Sequence, residues 1–382
     1  MFQAALAGAR AHLARVLTVA AIAVAVVAMP AAAGGKPSRP KVPSSFAGVN
    51  FNFYSSVNAA TAREMASGGV RSVLFGLDWS YVERHQGTYD WAASDKTIGN
   101  LADAGIEPIP VLYGTPTWAT DPTIQPPPAN VNREPPNTTP PGRQGWINFV
   151  TAAAQRYGPG GAFWQGPYPK AHPKAGFSPI HTWQVWNEPN LATYFAPQPS
   201  VSMYADLVRI SHDAITGVDP QAKIALGGLP CKVKENGCVD YLQQLYSQEP
   251  GIQNYFDLVG LHPYGPSVDY AVNEIKSARA VMRQNGDGGT RIWVSELGWG
   301  SEAAGSYRFE EGPKGQARLL RRAISTLARK RKSLGIWRMT WFTWRDAKTA
   351  EGPCEWCNHA GLIHASGKPK PSWQAFQNVV GR

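Results

Sequence analysis

The chain has 382 residues, 43% of them hydrophobic, which is enough for a sizeable core and excludes a largely disordered protein. Its formal net charge is +10. The basic residues are scattered apart from Arg321-Arg322 and Arg329-Lys330-Arg331-Lys332, and no nucleic-acid-binding motif accompanies them, so a nucleic-acid partner is not expected.

From the N-terminus, Arg10 and Arg15 precede an apolar run from Val16 to Met29, followed by Ala31-Ala32-Ala33. This order reads as a signal peptide over residues 1–33, because the run is shorter than the roughly 20 residues that a spanning helix needs. The expected destination is therefore extracellular, with no stable membrane insertion after cleavage. Residues 34–45, rich in Gly, Pro, Lys and Ser, read as a flexible linker, and the folded catalytic domain is expected over 46–382. A basic exported protein could be drawn to acidic polysaccharide or an anionic wall, but the scatter of charge argues against a dedicated patch. The two basic clusters share a segment with Leu319, Leu320, Ala323, Ile324 and Leu327, which predicts the solvated face of an amphipathic helix.

Short apolar runs predict eight strands: Phe46 to Phe53, Val70 to Phe75, Pro108 to Tyr113, His181 to Trp186, Ile224 to Gly228, Leu258 to His262, Ile292 to Ser295 and Ile336 to Thr343. Segments of helical length lie between most of them, such as Ala92 to Ala104, Trp146 to Tyr157, Met203 to Gly217, Ala271 to Gln284 and Gly315 to Ser333. This alternation of strands and helices implies parallel pairing. The fifth, sixth and seventh strands begin near 224, 258 and 292, equally spaced, which suits a (β/α)₈ TIM barrel. An open doubly wound sheet is the rival, but no nucleotide-type glycine fingerprint follows the first strand. Two irregular stretches, Pro122 to Pro141 and Gly158 to Pro179, interrupt the rhythm. The first follows a strand's C-terminal end, the face on which barrel active sites are built. The four cysteines fall as two local pairs, Cys231 with Cys238 and Cys354 with Cys357, each read as a structural disulfide in an oxidising compartment.

On such a barrel Glu188, after the fourth strand, and Glu296, ending the seventh, converge on one face. Two facing carboxylates are the minimum equipment for cleaving a glycosidic bond, provided one stays protonated to donate a proton and the other is ionised to attack. Asn187 then sits beside the sugar, placed to hydrogen-bond a 2-hydroxyl. Neither metal nor organic cofactor is required for this chemistry.

The stretch Trp186-Asn187-Glu188-Pro189-Asn190, with Glu296 in Trp293-Val294-Ser295-Glu296-Leu297-Gly298-Trp299, resembles the clan of retaining glycoside hydrolases with (β/α)₈ barrels. It looks most like glycoside hydrolase family 39, with the cellulase-like family 5 as near neighbour, and the resemblance spans Phe46 to the C-terminus. It implies Glu188 as acid/base and Glu296 as nucleophile. It also implies Tyr264, in His262-Pro263-Tyr264, as a hydrogen-bond donor to the nucleophile, Trp344 as the floor of the sugar subsite, and Arg71 as a substrate-side arginine. Asp78-Trp79, Glu83 and Thr115-Pro116-Thr117-Trp118 resemble the clan's loops after strands two and three, and Trp118 is the second candidate for stacking on a sugar. The partner implied is a poly- or oligosaccharide; a non-catalytic polysaccharide-binding barrel and a transglycosylase are the alternatives. Which sugar, endo or exo action, and oligomeric state are not specified by the sequence.

Overall fold

The computed structural model describes residues 42–51, 53, 55–124, 133–173, 176–231, 236–306, 308–349 and 354–381. The leader read over 1–33 and most of the linker over 34–45 lie outside the described residues. Val42 is already buried, and the Pro43 carbonyl accepts from the Phe46 amide at 2.9 Å.

Eight strands run in parallel: β1 (Ala47–Asn50), β2 (Ser72–Asp78), β3 (Glu107–Tyr113), β4 (Thr182–Val185), β5 (Lys223–Leu226), β6 (Leu258–His262), β7 (Arg291–Leu297) and β8 (Ile336–Trp341). Consecutive strands pair with one another. β8 returns to β1 through Gly48 and Thr340, and β5 meets β6 at Ala225 and Leu258, so the sheet closes on itself. A two-residue extension, Leu229–Pro230, adds to the edge of β6 at its C-terminal end. All eight strands predicted from the apolar runs are present, and the closed (β/α)₈ barrel replaces the rival open sheet. Nearly every strand residue is buried, as a parallel sheet covered on both faces demands.

The helices begin and end where local chemistry allows. Asn58, Thr139, Ser200 and Ser267 each cap a helix by accepting from an amide three residues on, satisfying a donor that the helix itself leaves open. The helix expected from Trp146 in fact starts at Pro140, because Thr139 supplies that cap and proline is tolerated in the first turn. The basic helix, Gly312–Leu334, turns Leu319, Leu320, Ala323, Ile324 and Leu327 inward and leaves Arg321, Arg322, Arg329 and Lys330 exposed, as its pattern predicted. It stops at Gly335, whose φ of 64° is a left-handed conformation that glycine adopts at little cost.

Large aromatics fill the space between barrel and helices. Trp79, Trp146, Trp183, Trp186 and Trp293 are among the fully buried side chains. Trp79 stacks on Phe149 at 5.9 Å, and Trp146 reaches Ser211 through its indole nitrogen at 2.8 Å, so the polar edge of the ring is not left unpaired. Among the described residues no helix is long and apolar enough to cross a membrane.

Candidate active site

The C-terminal ends of the strands surround a cavity of about 520 Å³ lined by Asn50, Asn187, Glu188, His262, Tyr264 and Glu296 among others. They come from four strand ends, those of β1, β4, β6 and β7, so closure brings together residues that are remote in sequence.

The approach to Glu188 is tightly specified. Trp186 and Glu188 adopt left-handed backbone conformations, with φ of 67° and 49°. For non-glycine residues each costs about 1–3 kcal/mol and persists only where the surroundings over-determine it. Here the Trp186 amide donates to the Leu112 carbonyl at 2.9 Å and its indole to the Tyr194 carbonyl at 2.7 Å. Gln184 donates to the Trp186 carbonyl at 3.0 Å and reaches the Asn187 side-chain oxygen at 3.4 Å. These bonds turn Asn187 and Glu188 into the cavity.

Glu188 meets His262 Nδ1 at 2.8 Å, and the same nitrogen lies 3.5 Å from Glu296 Oε2. Burial pushes His262 below its ordinary pKa against the pull of the Glu296 charge, and its Nδ1 stands between the two carboxyl groups. The ring fits because residue 228 is glycine: a Cβ there would lie 1.8 Å from His262 Nε2. Glu296 accepts from Asn50 Nδ2 at 3.0 Å and from the Tyr264 hydroxyl at 2.7 Å.

These environments push the two acids apart. Burial raises Glu188 from 4.5 to about 8, with nearby Arg133 opposing. Burial also raises Glu296, but the charge interaction with His262 and the Tyr264 bond hold it to about 6. Near neutral pH the pair therefore combines a protonated Glu188 with an ionised Glu296, one poised to donate a proton and the other to attack. Glu188, His262 and Glu296 each place a donor atom within 4.8 Å of the others. A cation could be gathered at that spacing, but His262 Nδ1 is engaged by Glu188, and Asn50 and Tyr264 engage Glu296, which favours proton sharing within the group.

Of the other residues expected here, three are not in the cavity. Arg71 lies before β2, at the opposite end of the barrel, where its exposed side chain donates to the Ala66 and Val70 carbonyls at 2.9 Å. Trp344 is 1% exposed and packs edge-on against Trp373 at 5.0 Å, so it has no face to offer a sugar. Trp118 packs edge-on against Trp79 and donates to the Glu83 carbonyl at 2.9 Å, bracing the loops after β2 and β3. The aromatic wall is built instead by Phe342 and Trp356, both lining the cavity, with Trp356 5.0 Å from the Tyr264 ring.

Trp356 sits inside the Cys354–Cys357 disulfide, and Cys231–Cys238 forms the other bridge. The Cys354–Cys357 staple thus fixes a cavity wall as well as a loop. Sequence reasoning also missed Asn50, Arg133, Arg308 and Arg345. Asn50 had a usable signal, a polar residue ending an apolar strand on the active face; the arginines lie in loops with no pattern of their own.

No protein-family model matches the chain, and no curated protein sequence matches it. Solved structures do. A family 39 glycoside hydrolase from Bacteroides cellulosilyticus aligns with a TM-score of 0.62 at 19% identity, over 88% of this chain and 63% of that one. A monomeric β-xylosidase from Caulobacter crescentus aligns at 0.60 and 18% identity, over 88% and 68% of the two chains. A family 5 subfamily 18 glycoside hydrolase from Streptomyces cattleya aligns at 0.61 and 15% identity, over 88% and 80%. This chain thus spans less than two thirds of the first of these proteins. Both families that the sequence resembles are represented, and the fold they share with this chain is the (β/α)₈ barrel.

Proposed function

We propose that this protein is a retaining glycoside hydrolase that cleaves an O-glycosidic bond of a poly- or oligosaccharide. The observation that carries this reading is the pair Glu188 and Glu296, facing one another in one cavity in environments that protonate the first and ionise the second. Their proximity, within 4.8 Å between donor atoms, suits the about 5–5.5 Å carboxyl separation of retaining enzymes and not the about 6.5–9.5 Å of inverting ones. The likeness to glycoside hydrolase structures supports the same reading.

In the first step a Glu296 oxygen attacks the anomeric carbon while Glu188 gives its proton to the departing glycosidic oxygen, leaving the sugar esterified to Glu296. In the second, the Glu188 carboxylate takes a proton from water, the water oxygen attacks the same carbon, and the ester bond breaks. Asn50 and Tyr264 hold the attacking carboxylate in place, and Asn187 is placed for the 2-hydroxyl of the sugar. The leader over 1–33 and linker over 34–45 precede a catalytic domain from 46, and with the two disulfides they support secretion.

Hydrolysis of a panel of aryl glycosides and polysaccharides tests this reading, with Glu296→Gly assayed in the presence and absence of azide. The expected result is loss of activity that azide restores, giving a glycosyl azide of inverted configuration. Undiminished activity of Glu296→Gln on the same panel contradicts it.

A further inference from the structure

Folding gathers three arginines that are scattered in sequence. Arg133 reaches the cavity from the loop after β3, Arg308 from the loop after β7 and Arg345 from the segment after β8. The only acidic side chains lining the cavity among the described residues are Glu188 and Glu296.

Among the described residues no salt bridge ties up the three guanidinium groups, although Arg133 lies near enough to Glu188 to oppose the rise of its pKa. Arg133 donates to the Thr193 carbonyl at 3.0 Å and lies 4.9 Å from the Tyr194 ring; Arg308 lies 4.6 Å from the Phe309 ring. The Nε atoms of Arg133 and Arg345 are buried with no hydrogen-bond partner. Acids that follow closely in sequence are committed elsewhere. Asp346 is bonded to Lys370 Nζ at 2.5 Å, and Glu310 to His359 Nδ1 at 2.9 Å. Among the described residues none of the three arginines has an acidic oxygen within ion-pairing distance. An excess of unpaired guanidinium in a cleft is a site for oxyanions, which it binds in a planar, bidentate manner.

Resting on the glycosidase reading, we propose that the natural substrate is an anionic glycan whose carboxylate or sulfate ester, close to the bond cleaved, is held by Arg308 and Arg345, with Arg133 offering a further contact. A neutral chain would leave these charges unanswered in the cleft.

The test is calorimetric binding to Glu296→Gln of oligosaccharides matched in backbone, in uncharged, uronate-bearing and sulfated forms, so that turnover is not needed. The expected result is a charged form bound at least about tenfold more tightly than its uncharged counterpart, the margin shrinking as salt rises from about 0.05 to 0.5 M. Arg308→Gln and Arg345→Gln should each reduce that margin roughly ten- to a hundredfold or abolish it. The uronate and sulfate arms identify which oxyanion is read. Equal binding of charged and uncharged forms, or a margin that survives in Arg308→Gln/Arg345→Gln, overturns the proposal. The matched-pair comparison stands even if the double variant does not fold. Cleavage of uncharged glycosides without preference for charged ones leaves the glycosidase reading intact and removes this one. Salt-sensitive binding of acidic chains by a wild type that cleaves nothing does the reverse.

Discussion

Glu188→Gln should stabilise this protein, and by an amount that depends on pH. Burial raises the Glu188 carboxyl from 4.5 to about 8 in the folded protein. The folded state therefore binds more protons than the unfolded chain between those values, so stability falls as pH rises through that window. Below pH 4.5 both states are protonated and nothing is lost; above about 8 the penalty is complete. At about 1.4 kcal/mol per pH unit, the wild type at pH 7 carries a penalty of about 3 kcal/mol, and glutamine has no proton to lose. Thermal melts of wild type and Glu188→Gln from pH 4 to 8.5 measure this without any substrate. The difference in Tm should grow in favour of the variant from about pH 5 upward, reaching several degrees, and level off near 8. A constant difference across the range would refute the protonated Glu188 on which the mechanism depends, whatever its absolute size.

Tyr264→Phe removes the 2.7 Å bond to Glu296. It should lower kcat/KM roughly ten- to a hundredfold and move the acid limb of the pH profile upward from about 6, since the lost donor favoured the ionised carboxylate. Gly228→Ala drives a methyl group into the buried His262 ring, so activity should fall sharply and denaturant unfolding should show a loss of about 1–3 kcal/mol or more. Lys370, with a fully buried side chain, ties Ser301, Asp346 and the His359 carbonyl together. Lys370→Met strands Asp346, costing about 3–5 kcal/mol in denaturant unfolding.

The barrel was legible because its strands are buried on both faces and therefore stand out as apolar runs between turn signals. Glu188, Asn187, His262, Tyr264 and Glu296 were legible for the same reason: each lies at or just past the end of such a run, where topology alone decides which way the chain opens. Arg71 failed because it precedes its strand, and a residue before a strand belongs to the far end of the barrel. Trp344 follows β8 closely, yet its ring goes outward to Trp373 while Phe342 and Trp356 face the cavity. Side-chain direction just beyond a strand depends on packing that local sequence does not carry. Arg133, Arg308 and Arg345 come from loops without periodicity, and only closure of the barrel makes them neighbours.

The configuration of the first-formed product tests the central claim most directly. Proton NMR on the early hydrolysis of any cleaved glycoside, recorded before mutarotation, should show the anomer of the substrate, because two displacements at one carbon restore its configuration. Appearance of the opposite anomer first would mean a single displacement by water and would contradict Glu296 as nucleophile.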